Sequence, residues 1–180
     1  MEFEAKVPQG VTAAVEGRKV KVKGPKGSLE REFSDLRYDD RVSIALADGA
    51  VKVTAKDEKR KTKAFAGTAA AHMRNMVAGV LKGWKYKMKI FHTHFPITVE
   101  VKDSEVQVKN FLGQKSVLHA KVIGNTKVEV KKDEISVTGT DLEAVAQTAA
   151  NIETTTRLSG KDRRVFLDGV YIAGWEHQTE

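Results

Sequence analysis

The chain has 180 residues, 41% hydrophobic and 31% charged, with a formal net charge of +7, which fits one medium domain or two small ones beneath an ionic surface. The absence of cysteine excludes disulfides, thiolate zinc sites and cysteine nucleophiles. No apolar run reaches membrane-spanning length, and the start MEFEAKVPQG lacks the basic and apolar regions of a secretory signal, so the chain reads as cytoplasmic with no membrane partner.

From the N-terminus, Val20 and Val22, then Val42, Ile44 and Leu46, then Val51 and Val53 alternate with polar residues as half-buried antiparallel strands do. The turn GPKG, Gly24 to Gly27, is read as a hairpin, its alternative being a concavity of backbone amides for an anion. A helix follows, with Phe65, Ala69, Met73, Met76 and Val80 on one face and Gly79 or Gly83 as the stop. The next stretch, LKGWKYKMKIFHTHFP, alternates Trp84, Tyr86, Met88 and Ile90 with lysines and predicts a strand with one packed and one basic face.

The chain then repeats itself. The segment from Val11 to Gly27 lies on that from Ile97 to Gly113 without a gap, Val51 and Val53 match Ile135 and Val137, and AFAGTAA from Ala64 matches AVAQTAA from Ala144. Strand patterns recur at Val99 and Val101, Val106 and Val108, Val128 and Val130, and Ile135 and Val137. A second helix recurs through Leu142, Val145, Ala149 and Ile152, opened by Thr140 and Glu143 as a capping box. The fold class is therefore α+β: two tandem duplicated domains, each a small, mainly antiparallel sheet packed with one helix. The boundaries expected are residues 1–82 for the first domain, 83–96 for a junction strand and 97–180 for the second, with Phe65 and Val145 as equivalent core residues.

Positive charge favours a polyanionic partner through counterion release. Residues 1–90 hold 20 basic and 11 acidic side chains, residues 91–180 hold 11 and 13, so binding by the second half rests on a local patch. Such a patch follows the second helix, where Arg157, Lys161, Arg163 and Arg164 crowd a loop containing Ser159 and Gly160, opposed only by Asp162. Guanidinium forks and open backbone of this kind suit phosphates, although a merely solvated basic loop has the same composition. His92 and His94 have the spacing of a strand-borne metal pair, but no third ligand has matching spacing, and packing or polar contact is the alternative. Asp168 with Gly169 marks a turn or bulge; no second carboxylate or histidine is spaced to make it a catalytic acid.

Three segments, VKVKGPKGSLEREF, GVLKGWKYKMKIFHTHFPI and KDRRVFLDGVYI, resemble the archaeal and eukaryotic branch of the large-subunit ribosomal protein six family over nearly the whole chain. The resemblance implies a non-catalytic structural constituent of the large ribosomal subunit that binds 23S-type RNA near the stalk base. It further implies neighbouring ribosomal proteins as partners and translation factors nearby. It points RNA contact to the second domain, so the candidate RNA-binding residues are Arg157, Ser159, Gly160, Lys161, Arg163 and Arg164, joined by Lys85, Lys87, Lys109 and Lys115. No cofactor, metal or catalytic residue is expected. The competing readings are a metal-dependent nuclease using Asp168 and the histidines, and a protein-interaction module that offers sheet edges.

Overall fold

The computed structural model describes residues 2–47, 49–162 and 164–178, which form two compact units meeting in sequence between Gly83 and Trp84. In the first, β1 (Glu2–Lys6), β6 (Ala50–Ala55) and β5 (Val42–Ala47) form one antiparallel sheet, with β6 central. Strands β2 (Thr12–Glu16), β3 (Lys19–Gly24) and β4 (Gly27–Glu32) form another, with β3 central. Helix α1 (Arg60–Lys82) closes the core. Its alanines at 66, 69 and 70 let the helix approach closely while Met73, Val77 and Val80 fill the space over Val20, Val22, Val51 and Val53. Full burial of one such side chain contributes about 1.5–3 kcal/mol.

The GPKG segment is a two-residue hairpin in which Gly24 pairs with Gly27. Its Lys26 N–H donates to the Val80 carbonyl at 3.0 Å, so one of the amides suggested for an anion is engaged by α1. A Cβ at Gly24 would lie 2.8 Å from that same carbonyl oxygen, which is why glycine occupies this position. Helix α1 runs through the buried Gly79 and ends at Gly83, whose N–H donates to the Gly79 carbonyl at 2.9 Å.

The second unit repeats this plan and adds one strand. Strands β8 (Thr98–Lys102), β9 (Glu105–Lys109) and β10 (Leu118–Lys121) form a sheet with β9 central. The other sheet has the order β11 (Lys127–Lys131), β12 (Glu134–Gly139), β7 (Trp84–Phe91), β13 (Gly169–His177), with α2 (Leu142–Thr155) packed against the core. Strand β7 pairs with β12 as β1 pairs with β6. The segment expected as a junction over 83–96 thus contributes, through β7, a central strand of the second unit's sheet. Its alternation arises because Trp84, Met88 and Ile90 are buried while lysines occupy the opposite face.

Two local readings require correction. The cap of α2 is Asp141, whose carboxylate accepts the Glu143 N–H at 3.0 Å, one residue beyond the Thr140 expected for a capping box. The helix phase also shifts by one. Burial recurs when Ala66, Ala69, Ala70, Met73 and Val77 are laid on Val145, Thr148, Ala149, Ile152 and Thr156, all of them buried. Val145 is a core residue and Ala66 is its counterpart. Phe65 sits half-buried at the rim, stacked on Tyr38 with centroids 5.0 Å apart.

Candidate nucleic-acid interface

The basic loop begins where α2 ends. Thr156 is buried, and its hydroxyl accepts the Val170 N–H at 3.0 Å, so the two ends of the loop are tied to each other. Leu158 packs against the core, whereas Arg157, Ser159, Gly160, Lys161 and Arg164 are exposed. Gly160 has φ +70°, a left-handed conformation that turns the chain with little strain only for glycine. Arg163 lies outside the described residues.

Asp162 organises the far side of this loop. Its carboxylate accepts the Arg164 N–H at 2.9 Å, and its carbonyl accepts those of Val165 and Phe166 at 3.1 and 3.0 Å. The resulting turn is of the local side-chain type that aspartate favours. Val165 and Leu167 stay exposed, while Phe166 between them turns inward. The Lys161 ammonium lies 4.4 Å from the Phe166 ring centroid. The His94 ring stacks on Phe166 with centroids 5.1 Å apart and planes 26° from parallel.

Asp168 joins this loop to the segment after β7. Its fully buried carboxylate accepts the backbone N–H groups of Thr93 and His94 at 2.9 and 3.3 Å and pairs with His94 Nδ1 at 3.1 Å. Burial alone pushes the Asp168 carboxyl up, but the hydrogen bonds from Thr93 and His94 outweigh it and hold the group below its ordinary value. The aspartate is a structural anchor, engaged on both oxygens. His92 faces a different carboxylate, Asp133, with 4.0 Å between Nε2 and Oδ1. Strand β7 stops at Phe91, so the two histidines do not share a strand face.

A third loop joins the same end of the unit. The Asn110 side chain donates to the Pro96 carbonyl at 3.0 Å, and Phe95 packs so close to Gly113 that a Cβ there would stand 3.2 Å from its ring. Gly113 also has φ +74°. Lys115 lies on the exposed stretch that follows. The loops 92–97, 110–117 and 157–168 are thereby interlocked by named contacts, and they carry Lys115, Arg157, Lys161 and Arg164 to solvent.

The remaining sequence candidates stand elsewhere or are already paired. Lys85 and Lys87 lie in the first half of β7, about 13–20 Å before Phe91 at the rise of an extended strand, and both reach Glu176, at 3.6 and 2.8 Å. The hydrogen bond from Lys87 holds Glu176 below the ordinary carboxylate range. Lys109 bonds Glu100 at 2.7 Å and lowers its pKa in the same way. Phe166, Phe95 and Asn110 shape the candidate interface with His94, yet no spacing in the sequence marks those three or ties His94 to Phe166 and Asp168, because their partners are loops distant along the chain.

Fold and site together define a class: a duplicated α+β protein whose second copy gathers cations on interlocked loops. The family model described as Ribosomal protein L6 matches residues 7–83 and 95–169. Among relatives named large ribosomal subunit protein uL6, that of Staphylothermus marinus is 50% identical over 96% of this chain and 93% of its own length. Those of Ignicoccus hospitalis and Natronomonas pharaonis are 49% and 44% identical, over 92% and 96% of this chain and 90% and 95% of their own lengths. The chain belongs to the ribosomal protein L6 family, in its archaeal branch, and is a structural constituent of the ribosome.

Proposed function

We propose that the chain binds 23S-type large-subunit RNA through the interlocked loop end of its second unit and supports the folding of that RNA near the stalk base. The observation that carries this reading is the exposed set Arg157, Lys161 and Arg164 on a loop whose backbone is fixed from within by Asp162, Asp168 and Thr156. Fixed backbone with exposed cations suits recognition of phosphate and sugar on folded RNA, in which shape matters more than base identity. Arg163 extends the same cationic run in the sequence, and Lys115 adds a cation from a neighbouring loop.

Lys85, Lys87 and Lys109 have a secondary place in this proposal. Each spends its charge on a glutamate in the free protein, so RNA contact there would require exchanging one ion pair for another. The stalk-base setting, with neighbouring ribosomal proteins and translation factors close by, rests on the family resemblance. Hydroxyl-radical footprinting of deproteinised large-subunit RNA with the full chain tests the reading. Protection confined to a compact RNA region, and lost when Lys161 and Arg164 are both replaced by Ala, is the expected outcome. Protection that survives this change would remove the loop from the contact.

A further inference from the structure

The stack at Phe166 has no obvious purpose in folding. The ring is only half-buried, yet it holds contacts from two directions of the sequence, Lys161 in its own loop and His94 across from it. His94 is in turn fixed twice by the buried Asp168, through its backbone N–H and its ring Nδ1. The chain of contact therefore runs from a rigid buried carboxylate, through an imidazole and a phenyl ring, to the ammonium of one exposed lysine. No carboxylate within salt-bridge distance of Lys161 competes for that ammonium among the described residues.

We propose that Phe166 is a positioning residue for RNA binding: by holding the Lys161 ammonium over its ring, it sets that side chain in place before the RNA arrives. This rests on the reading of the loop as an RNA contact. A free lysine side chain samples many rotamers and loses them on meeting a phosphate, and a contact that restricts it beforehand reduces that loss. An ammonium over an aromatic face keeps much of its hydration and its full charge, so it remains available to a phosphate oxygen, unlike a lysine closed into an ion pair with a carboxylate. Phe166 would thus act on affinity without itself adding or removing an ionic contact.

The two kinds of contribution separate by salt dependence. With deproteinised large-subunit RNA as the probe, F166L should bind about two- to five-fold more weakly, the range expected for losing one exposed cation–π contact. The slope of log affinity against log salt should stay as in the native protein, since every cation remains. F166Y, which keeps the ring, should bind within two-fold of the native chain. In a K161A background, which itself should lower the slope by roughly one, adding F166L should cost nothing further.

A second measurement does not depend on binding or on the stability of the variants. In the NMR spectrum of the RNA-free native chain, the ε-methylene protons of Lys161 should be shifted upfield by the ring current of Phe166. Random-coil positions for those protons would overturn the proposal. So would F166L binding as tightly as the native chain or more tightly, or F166L weakening binding equally with and without Lys161. If K161A leaves both affinity and slope unchanged, the RNA reading of the loop fails, which is a distinct outcome from an inert F166L beside a K161A that lowers the slope.

Discussion

Asp168 accepts hydrogen bonds from the main chain of Thr93 and His94 and pairs with the His94 ring at 3.1 Å, so one fully buried carboxylate holds together two segments about 75 residues apart in the chain. Replacing it by Ala would leave the Thr93 and His94 N–H groups without this charged acceptor. D168A should destabilise the second unit by about 1.5–3 kcal/mol, measured by chemical denaturation, the range for losing hydrogen bonds to a charged group. A loss below 1 kcal/mol would mean that water replaces the carboxylate freely.

The same carboxylate gives a pH dependence whose sign is fixed. Its folded pKa lies below the ordinary value, so it contributes stability that is present above the unfolded pKa of about 3.9 and is lost as pH falls through the folded value. The native chain should therefore lose stability below about pH 4 more steeply than D168N, which has no such proton to take up. Parallel acid-denaturation curves for the two would contradict this.

The core assignments make a third test. Met73 and Val145 are both fully buried, each in its own unit, while Phe65 lies at the rim of the first core. M73A should cost about 2–5 kcal/mol and V145A about 2 kcal/mol. F65A should fall short of the 3–5 kcal/mol typical of a fully buried phenylalanine. A larger loss for F65A than for M73A would restore the sequence-based helix phase.

These residues also mark how far the sequence could be read. The alternation of valines in β3, β6 and β9, and of Ile135 and Val137 in β12, records one buried face per strand, so strand content and the internal repeat were legible. Matching alanine-rich runs placed both helices but missed their phase by one residue, because small side chains are shared by the core face and its flanks. The correspondence of β7 with β1 was hidden for a different reason. EFEAK and WKYKMKIF share alternation but little side-chain identity, and only pairing with β12 reveals the role of β7.

The candidate interface was legible as composition and not as architecture. Basic residues on a glycine-containing loop announced the cations, but nothing local to the loop shows that Asp168 is buried or that Phe166 meets His94. Those contacts join loops far apart in sequence, and only tertiary packing brings them together. The histidine spacing suggested a shared strand face that the end of β7 at Phe91 removes.

The proposal that the basic loop anchors the chain to RNA is tested most directly by the salt dependence of binding to deproteinised large-subunit RNA. The triple variant K161A/R163A/R164A is compared with K56A/K102A/K127A, which removes the same charge from exposed sites outside the three loops. The loop variant should bind more weakly, with its slope reduced by roughly one unit per lost contact, while the control keeps most of its affinity. Both should melt near the native temperature, because exposed charges contribute little to folding. Equal losses of affinity and slope in the two variants would show binding by bulk charge and contradict the loop as a specific anchor.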